Sequence, residues 1–253
     1  MYAAERQQEI VRRARDEGRV DVTTLARDFG ITTETVRRDL TRLERHGLLR
    51  RVHGGALPVE RLGFEPAVDE RTARRSAQKE RIGKAALAFL PQEGAVLVDA
   101  GTTTARLADA LPSDLALTLV TNALPIALQL ARLSKSTLWT IGGRVRERTL
   151  AQVDAWARRS LEDLHVDVAF VATNGISAEH GLTTPDLAEA EVKRAMVAAA
   201  ARVVVLADST KVGQVHFARF ADLEQIDILV TDDHLDTDAA ETFRAAGVQV
   251  VLA

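Results

Sequence analysis

Apolar and polar positions fall into two regimes along the chain. In the first, Val22, Leu25, Ala26 and Phe29 are spaced for one face of a short helix, with Asp21 placed as its N-cap. Gly30 suits the left-handed residue that ends such a helix, and Thr32 is placed to cap a second one over about Thr33–His46. Val36, Leu40 and Leu43 share the inner face of that second helix. Glu34, Arg38, Thr41 and Arg45 share the outer face, with Arg37 and Arg42 on its flanks. Gly47 closes the helix, and Leu48–Ala56 predicts a strand pair turning at Gly54-Gly55. An amphipathic helix over Glu5–Glu17, with Ile10 and Ala14 inward, and an extended Gly18-Arg19-Val20 precede these elements. The order predicts a winged helix-turn-helix.

The second regime alternates strands and helices. Strands are predicted at Ala95–Asp99, Ala116–Val120, Thr137–Ile141, Val166–Val171, Arg202–Ala207, Ile228–Thr231 and Val248–Leu252. Helices are predicted at Gln78–Phe89, Thr104–Leu111, Leu124–Leu133, Ala155–Leu164, Asp186–Ala201 and Thr237–Ala246. Continuous apolar runs such as VAFVA and VVVLA mark strands buried on both faces. The fold class is α/β, a mostly parallel doubly wound sheet behind the winged head. Pro58–Ser76 lacks sustained periodicity and contains Gly63 and two prolines. The expected organisation is therefore a head at 1–57, a partly packed linker at 58–76 and an effector domain at 77–253.

Charge sharpens this division. The net charge of −3 hides a head in which residues 1–60 carry 12 Arg against 10 acidic residues. Thr32–Gly55 holds six Arg against Glu34, Asp39 and Glu44. A local basic face on an acidic body fits a protein that grips phosphates at one place only. Other classes drop out. No apolar run approaches the roughly 20 residues that span a bilayer, and the charged N-terminal helix does not read as a signal peptide. A cytoplasmic location and no membrane partner are expected. The absence of cysteine excludes disulfides and thiolate chemistry. The six His show no metal-binding spacing and no dinucleotide or P-loop fingerprint is present, so neither metal nor cofactor is expected.

Two sets of residues carry candidate chemistry. On the head, Thr33, Thr35, Arg37, Arg38, Thr41, Arg42, Arg45, Arg50, Arg51, His53, Gly54 and Gly55 are expected to meet double-stranded DNA. In the body, ligands bind beyond the carboxyl ends of parallel strands. Five such ends carry small or hydroxyl residues: Asp99, Gly101, Thr102, Thr103 and Thr104; Thr121 and Asn122; Gly142 and Gly143; Asn174 and Gly175; Asp208 and Lys211. Small residues and hydroxyls at helix N-termini hold anions, which suits a phosphorylated, hydroxyl-rich effector. Asp99 has the wrong sign for phosphate, and is expected to accept from Thr102–Thr104 or from a sugar hydroxyl. Glu189 and Lys193, four apart, are explained by an exposed helical ion pair, and Thr184 by a cap on a helix opening at Pro185. The competing class is a sugar-phosphate isomerase or deaminase carrying a DNA-binding head, but no acid/base pair is evident among Asp99, Asp208 and Glu189.

Thr35-Val36-Arg37-Arg38-Asp39-Leu40 followed by Arg50-Arg51-Val52-His53-Gly54-Gly55-Ala56 resembles the signature of the DeoR family of bacterial transcriptional repressors. The resemblance continues through Asp99–Thr104, Thr121-Asn122, Gly142-Gly143, Asn174-Gly175-Ile176, Gly181–Pro185, Glu189–Met196 and Asp208–Lys211. It implies a sensor domain similar in fold to ribose-5-phosphate isomerase and glucosamine-6-phosphate deaminase, with a phosphorylated sugar as inducer. A repressor of this kind reads repeated half-sites, so a homo-oligomer, dimer or tetramer, is expected. Met1-Tyr2-Ala3 and Gly63-Phe64-Glu65-Pro66 resemble members associated with fructose use, which puts fructose 1-phosphate first among effectors. The resemblance breaks at Ala151-Gln152-Val153-Asp154, where the family has a Val-Gly step, so Arg144–Asp154 takes no role from it.

Overall fold

A computed structural model describes residues 3–45, 48–52, 54–58 and 68–253. Met1, Tyr2, His46, Gly47, His53 and the segment Gly63–Pro66 lie outside the described residues. The chain divides into two compact units, Met1–Phe64 and Glu65–Ala253.

The smaller unit runs α1 (Ala3–Glu17), β1 (Val20–Asp21), α2 (Val22–Phe29), α3 (Thr33–Arg45), β2 (Leu49–Val52) and β3 (Gly55–Pro58). Its caps are the expected ones. Asp21 accepts from the amides of Thr23 and Thr24, Gly30 has φ +64, and Thr32 Oγ1 accepts from the Thr35 amide at 3.2 Å. Ile10, Ala14, Leu25, Val36, Leu40 and Leu49 are almost fully buried together, which fixes the helices around one small core. Asp39 ties α3 to α1, accepting from Arg6 Nε and Gln7 Nε2, each at 2.7 Å. The wing differs in one respect from the expected strand pair. Val52 pairs with Gly55, so Gly54 (φ +77) belongs to the turn while Gly55 opens β3 and pairs with Asp21 of a third strand.

The larger unit opens with α4 (Val68–Ala73) and α5 (Ser76–Ala86), then β4 (Ala95–Val98), α6 (Thr102–Ala110), β5 (Thr118–Thr121), α7 (Leu124–Leu130) and β6 (Thr137–Thr140). A hairpin of β7 (Arg144–Val145) and β8 (Gln152–Val153) leads into α8 (Asp154–Glu162) and β9 (Val168–Ala172). There follow β10 (Gly175–Ser177), β11 (Gly181–Thr184), α9 (Leu187–Ala199), β12 (Val203–Leu206), β13 (Ala218–Ala221), β14 (Ile228–Thr231), α10 (Thr237–Ala245) and β15 (Gln249–Leu252). Seven of these strands form one parallel sheet in the order β15-β14-β12-β9-β4-β5-β6. Alternate residues feed opposite faces: Val168 and Phe170 join the core under α5, α6 and α7, Ala169 and Val171 the core under α8, α9 and α10. That double burial is why the strands read as unbroken apolar runs.

Two antiparallel additions were not predicted. β10, β11 and β13 form a three-stranded sheet, which converts Gly181–Thr184 from a helix cap into a strand. The cap of α9 is instead Asp186, whose Oδ1 accepts from the Glu189 amide at 3.0 Å. These strands are three or four residues long, too short for alternation to show.

Helices α5 and α6 touch at Gly83, where an added Cβ would lie 2.7 Å from the backbone of Arg106 and Leu107. Alanine favours a helix over glycine by roughly 1 kcal/mol. Gly83→Ala is nevertheless expected to lower the melting midpoint, because overpacking a tight contact costs about 1–3 kcal/mol. Calorimetry checks it; a midpoint at or above wild type would mean that α5 can move off α6 at no cost.

Candidate nucleic-acid interface and effector pocket

On the smaller unit, α3 buries Val36, Leu40 and Leu43 and turns its other face outward. Glu34, Arg37, Arg38, Thr41, Arg42 and Arg45 of α3, with Arg51 of β2, line one concave surface of about 680 Å³. A second hollow of about 420 Å³ joins Arg37 and Arg51 to Thr23, Val52, Gly54 and Gly55. Helix α3 and strand β2 are braced as a unit: Arg51 Nη1 donates to Thr41 Oγ1 at 3.1 Å, and the Arg51 amide to Glu44 Oε1 at 2.9 Å. Arg37 and Arg38 are well exposed, and Glu34 lies 3.9 and 3.8 Å from them. Of the expected contacts, Thr33 is exposed, whereas the Thr35 hydroxyl is shared with Thr32 Oγ1 at 2.9 Å. Gly55 is buried against the Val20 carbonyl, where a Cβ would collide, and it also lines the second hollow. His53 and the Arg50 side chain lie outside the described residues.

On the larger unit, the chain builds β4, β5 and β6 outward and then returns to lay β9 on the other side of β4. That reversal opens a crevice at the carboxyl ends of β4 and β9, the place where such sheets take ligands. Asp99 stands in it, fully buried. Its carboxylate does not accept from Thr102–Thr104, as expected from sequence. Oδ2 takes the amide of Ala172 at 3.0 Å and the ammonium of Lys193, while Oδ1 is buried without a hydrogen-bond partner. Lys193 Nζ also donates to the Ala172 carbonyl at 2.9 Å. The α6 hydroxyl of Thr104 donates to the Asp99 carbonyl oxygen at 2.7 Å, closing the loop.

Glu189 and Lys193 are therefore not an exposed helical pair. Both are about 5% exposed or less and point inward from α9 to different partners. Glu189 accepts from Arg146 Nη1 at 3.1 Å and from the hydroxyls of Thr149 and Thr184, and Arg146 also reaches Asp186 at 3.1 Å. The β7–β8 hairpin, left unassigned by sequence, is thus pinned over the strand ends. It contains two non-glycine residues at positive φ, Leu150 (+54) and, at its exit, Asp154 (+79), the latter paired with Arg144 at 2.6 Å.

Beside this polar knot an open cleft of about 230 Å³ is lined by Gly101, Thr102, Ala105 and Arg106 of the α6 end, by Ala123, Pro125, Ile126 and Gln129, by Thr149 and Leu150 of the hairpin, and by Val68 and Thr72 of α4. The α6 cap residue, Gly101, makes no side-chain cap bond, so the amides of Thr102 and Thr103 have no capping side chain. Other expected residues are committed to the fold. Thr121 Oγ1 donates to the Val98 carbonyl and Asn122 Oδ1 accepts from the Ala100 amide. Asn174 Oδ1 accepts from Thr184 Oγ1, and Gly175 is buried against the Gln214 carbonyl. Gly142 and Gly143 open the hairpin beside Trp156 and Ala157. Asp208 caps the turn Ser209–Lys211, and the half-buried Lys211 side chain has no hydrogen bond or ion pair among the described residues.

Sequence spacing also missed a group of three metal-ligand types, Asp232, Asp233 and His234, whose ligand atoms lie within 4.8 Å of one another. Asp232 is occupied: it accepts from Ser209 N and Oγ and from the His234 amide, and these bonds hold its carboxyl below the usual range against the opposing effect of burial.

The buried pair sets a stability expectation. Lys193→Met alone strands the Asp99 carboxylate and should cost about 3–5 kcal/mol, whereas Lys193→Met with Asp99→Leu should recover most of that loss. Urea unfolding of the four proteins of the cycle measures it; additive losses would show that the two charges do not depend on each other.

The model of the DeoR C terminal sensor domain matches residues 74–233, and that of the DeoR-like helix-turn-helix domain matches residues 6–61. The chain is 39% identical over 251 residues to the HTH-type transcriptional regulator GlpR of Haloferax volcanii, covering 99% of this chain and 98% of that one. It is 32% identical to the uncharacterized HTH-type transcriptional regulator FruR of Bacillus subtilis, over 92% of each chain. Among solved structures it is similar to ribose 5-phosphate isomerase A from Neisseria gonorrhoeae (TM-score 0.38, 17% identity, 53% of this chain and 52% of that one). It is similar also to eIF2B delta from Chaetomium thermophilum (TM-score 0.41, 16% identity, 64% and 57%). No helix among the described residues is long and apolar enough to cross a membrane. Both relatives, matched over 98% and 92% of their own length, are named as transcriptional regulators, and this chain is a DNA-binding regulator. It belongs to the DeoR family of transcriptional regulators.

Proposed function

We propose that the protein represses an operon for sugar use and that a phosphorylated sugar, bound in the larger unit, controls it. The observation that carries the DNA half is the single concave surface on which Arg37, Arg38, Arg42 and Arg45 of α3 meet Arg51 of the wing. Arginines on an exposed helix face hold phosphates and read guanine edges bidentately. Arg51 and Gly54 lie where the wing would meet the neighbouring backbone. The effector half is supported by the cleft of about 230 Å³ at the α6 N-terminus, with Gly101 and Thr102 in its wall. Thr103 and Thr104 continue that helix start, and Lys211, in the turn after β12, is a half-buried cation whose side chain forms no ion pair among the described residues. Fructose 1-phosphate is the first effector to test. The protein works in the cytoplasm as a dimer or tetramer on repeated half-sites. Both tryptophans of the chain, Trp139 on the edge strand β6 and Trp156 on α8, are more than 60% exposed, which suits burial between copies.

Operator binding measured by fluorescence anisotropy across a salt series tests the first half. Arg38→Ala should weaken binding by about 1–3 kcal/mol per subunit and relax sequence preference, or flatten the salt slope by about 1 if the contact is to phosphate. Unchanged affinity and slope in a folded variant would remove α3 from the interface. Thermal shift against pentose and hexose phosphates tests the second half, since ligand at 100 times its Kd stabilises by about 2.7 kcal/mol. Lys211→Ala should keep operator binding and lose the response; an intact response would take Lys211 out of the site.

A further inference from the structure

The cleft extends well beyond the helix start that opens it. Thr102, Ala105, Arg106 and Asp109 all line it, and offsets of three, four and seven residues put them on one face of α6. At roughly 1.5 Å of rise per residue, that face runs about 10 Å from Thr102 to Asp109. The cleft therefore has a near end, where the Thr102 and Thr103 amides lack a capping side chain, and a far end two turns along the helix.

The far end is polar. Gln129 of α7 lines the cleft there, and its Nε2 donates to Asp109 Oδ1 at 2.8 Å. Arg106 Nη1 donates to Asp109 Oδ2 at 3.2 Å. An ionised carboxylate only accepts, so the Gln129 amide has to turn its nitrogen to Asp109. Its oxygen, Oε1, is left buried without a hydrogen-bond partner. Such an atom costs free energy until a donor reaches it. Arg106 keeps N–H donors beyond the one spent on Asp109, and the Asp109 oxygens keep free lone pairs. All three residues lie outside the stretches Asp99–Thr104 and Thr121-Asn122 that resemble the family's motifs.

We propose that Arg106, Asp109 and Gln129 form a hydroxyl-reading subsite, so that the cleft takes a sugar monophosphate with its phosphate at the α6 start and its terminal hydroxyls on these three side chains. The proposal deepens the sugar-phosphate reading above and rests on it. A hydroxyl both donates and accepts, so it can satisfy Gln129 Oε1 and an Arg106 N–H together. A second phosphate is the wrong group for the far end. It brings only acceptors and negative charge, and Arg106, the only cation among the described lining residues, is already balanced by Asp109. Length selects as well: an extended hexose phosphate covers the distance from Thr102 to Asp109, whereas a three-carbon phosphate held at Thr102 stops short of it.

The test is isothermal titration of the full chain with fructose 1-phosphate, glucose 6-phosphate, glycerol 3-phosphate and fructose 1,6-bisphosphate. Wild type should bind at least one hexose monophosphate, and more tightly than it binds glycerol 3-phosphate or the bisphosphate. Gln129→Leu should lower the ratio of hexose-monophosphate to glycerol 3-phosphate affinity about tenfold, the worth of one hydrogen bond. Asp109→Asn, which leaves Arg106 unopposed, should narrow the preference for monophosphate over bisphosphate. The Arg106–Asp109 pair is part-exposed, and pairs of that kind add little to stability, so this variant folds and decides the matter if Gln129→Leu does not. An unchanged affinity ratio in folded Gln129→Leu overturns the subsite, whether both affinities hold or both fall alike. So does an unchanged preference in Asp109→Asn, or a wild type that takes glycerol 3-phosphate or the bisphosphate as tightly as the hexose monophosphates. If no probe binds wild type, the sugar-phosphate reading itself fails and the subsite with it, a result distinct from the others, each of which begins from a bound probe.

Discussion

Where a parallel sheet reverses its direction of growth, two neighbouring strands end without a connecting loop between them, and their last peptide groups need partners. Here those strands are β4 and β9, and the partners are two side chains. Asp99 accepts from the Ala172 amide, and Lys193 bridges the Asp99 carboxylate and the Ala172 carbonyl. The pair stitches β4, β9 and α9 at one point, with both side chains almost wholly removed from water. Buried ion pairs of this kind add little net stability over an apolar filling, yet removing one partner is costly. What the pair supplies is a fixed polar floor at the spot where the sheet opens.

The rest of the larger unit is arranged around that floor. α9 carries two charged residues one turn apart, and they face different partners: Lys193 joins the strand ends, while Glu189 holds the β7–β8 hairpin through Arg146 and Thr149. The hairpin in turn presents Thr149 and Leu150 to the cleft opposite the α6 N-terminus. One helix thus sets both the floor and one wall. In the smaller unit the equivalent role falls to Asp39, whose hydrogen bonds to Arg6 and Gln7 lock α3 against α1 so that the arginine face projects as a rigid surface. In both units a buried carboxylate positions a face that is itself open.

Much of this was legible in the residues. The seven parallel strands, the helix caps at Asp21 and Thr32, and Gly30 as a left-handed stop follow from local rules: apolar run length, side-chain oxygen acceptors, and the absence of a Cβ. The exposed arginine face follows from which positions of α3 are apolar. The misreadings share a cause, that burial is decided by partners distant in sequence. Glu189 and Lys193 have the spacing of a solvent-facing pair, but α9 is lined with Ala190, Val192, Met196 and Val197 and is enclosed by β9, β11, β13 and α8. Its charges had nowhere to go but inward, where Asp99 and Arg146 waited 94 and 43 residues away. Gly181–Thr184 reads as a helix start because its pairing partners, β10 and β13, are themselves too short to announce strands. Lys79 carries no motif at all; only the fold shows that it is buried and that its ammonium donates to the Arg71 carbonyl oxygen.

The hairpin shows what the polar knot holds in place. Leu150 and Asp154 sit at φ values that side chains other than glycine adopt at a cost of order 1–3 kcal/mol each. Such conformations persist only where the surroundings over-determine them. Here the restraints are the Arg146 bonds to Asp186 and Glu189, the Arg144 bond to Asp154, and the Leu124 amide on the Leu150 carbonyl at 3.2 Å. Every one of them ends on a strand end, a helix start or the hairpin itself, within the group of elements that borders the cleft. The strain at Leu150 is therefore stored in the cleft wall and that at Asp154 at the exit of the hairpin, each held by the hairpin's ion pairs and hydrogen bonds rather than by apolar packing.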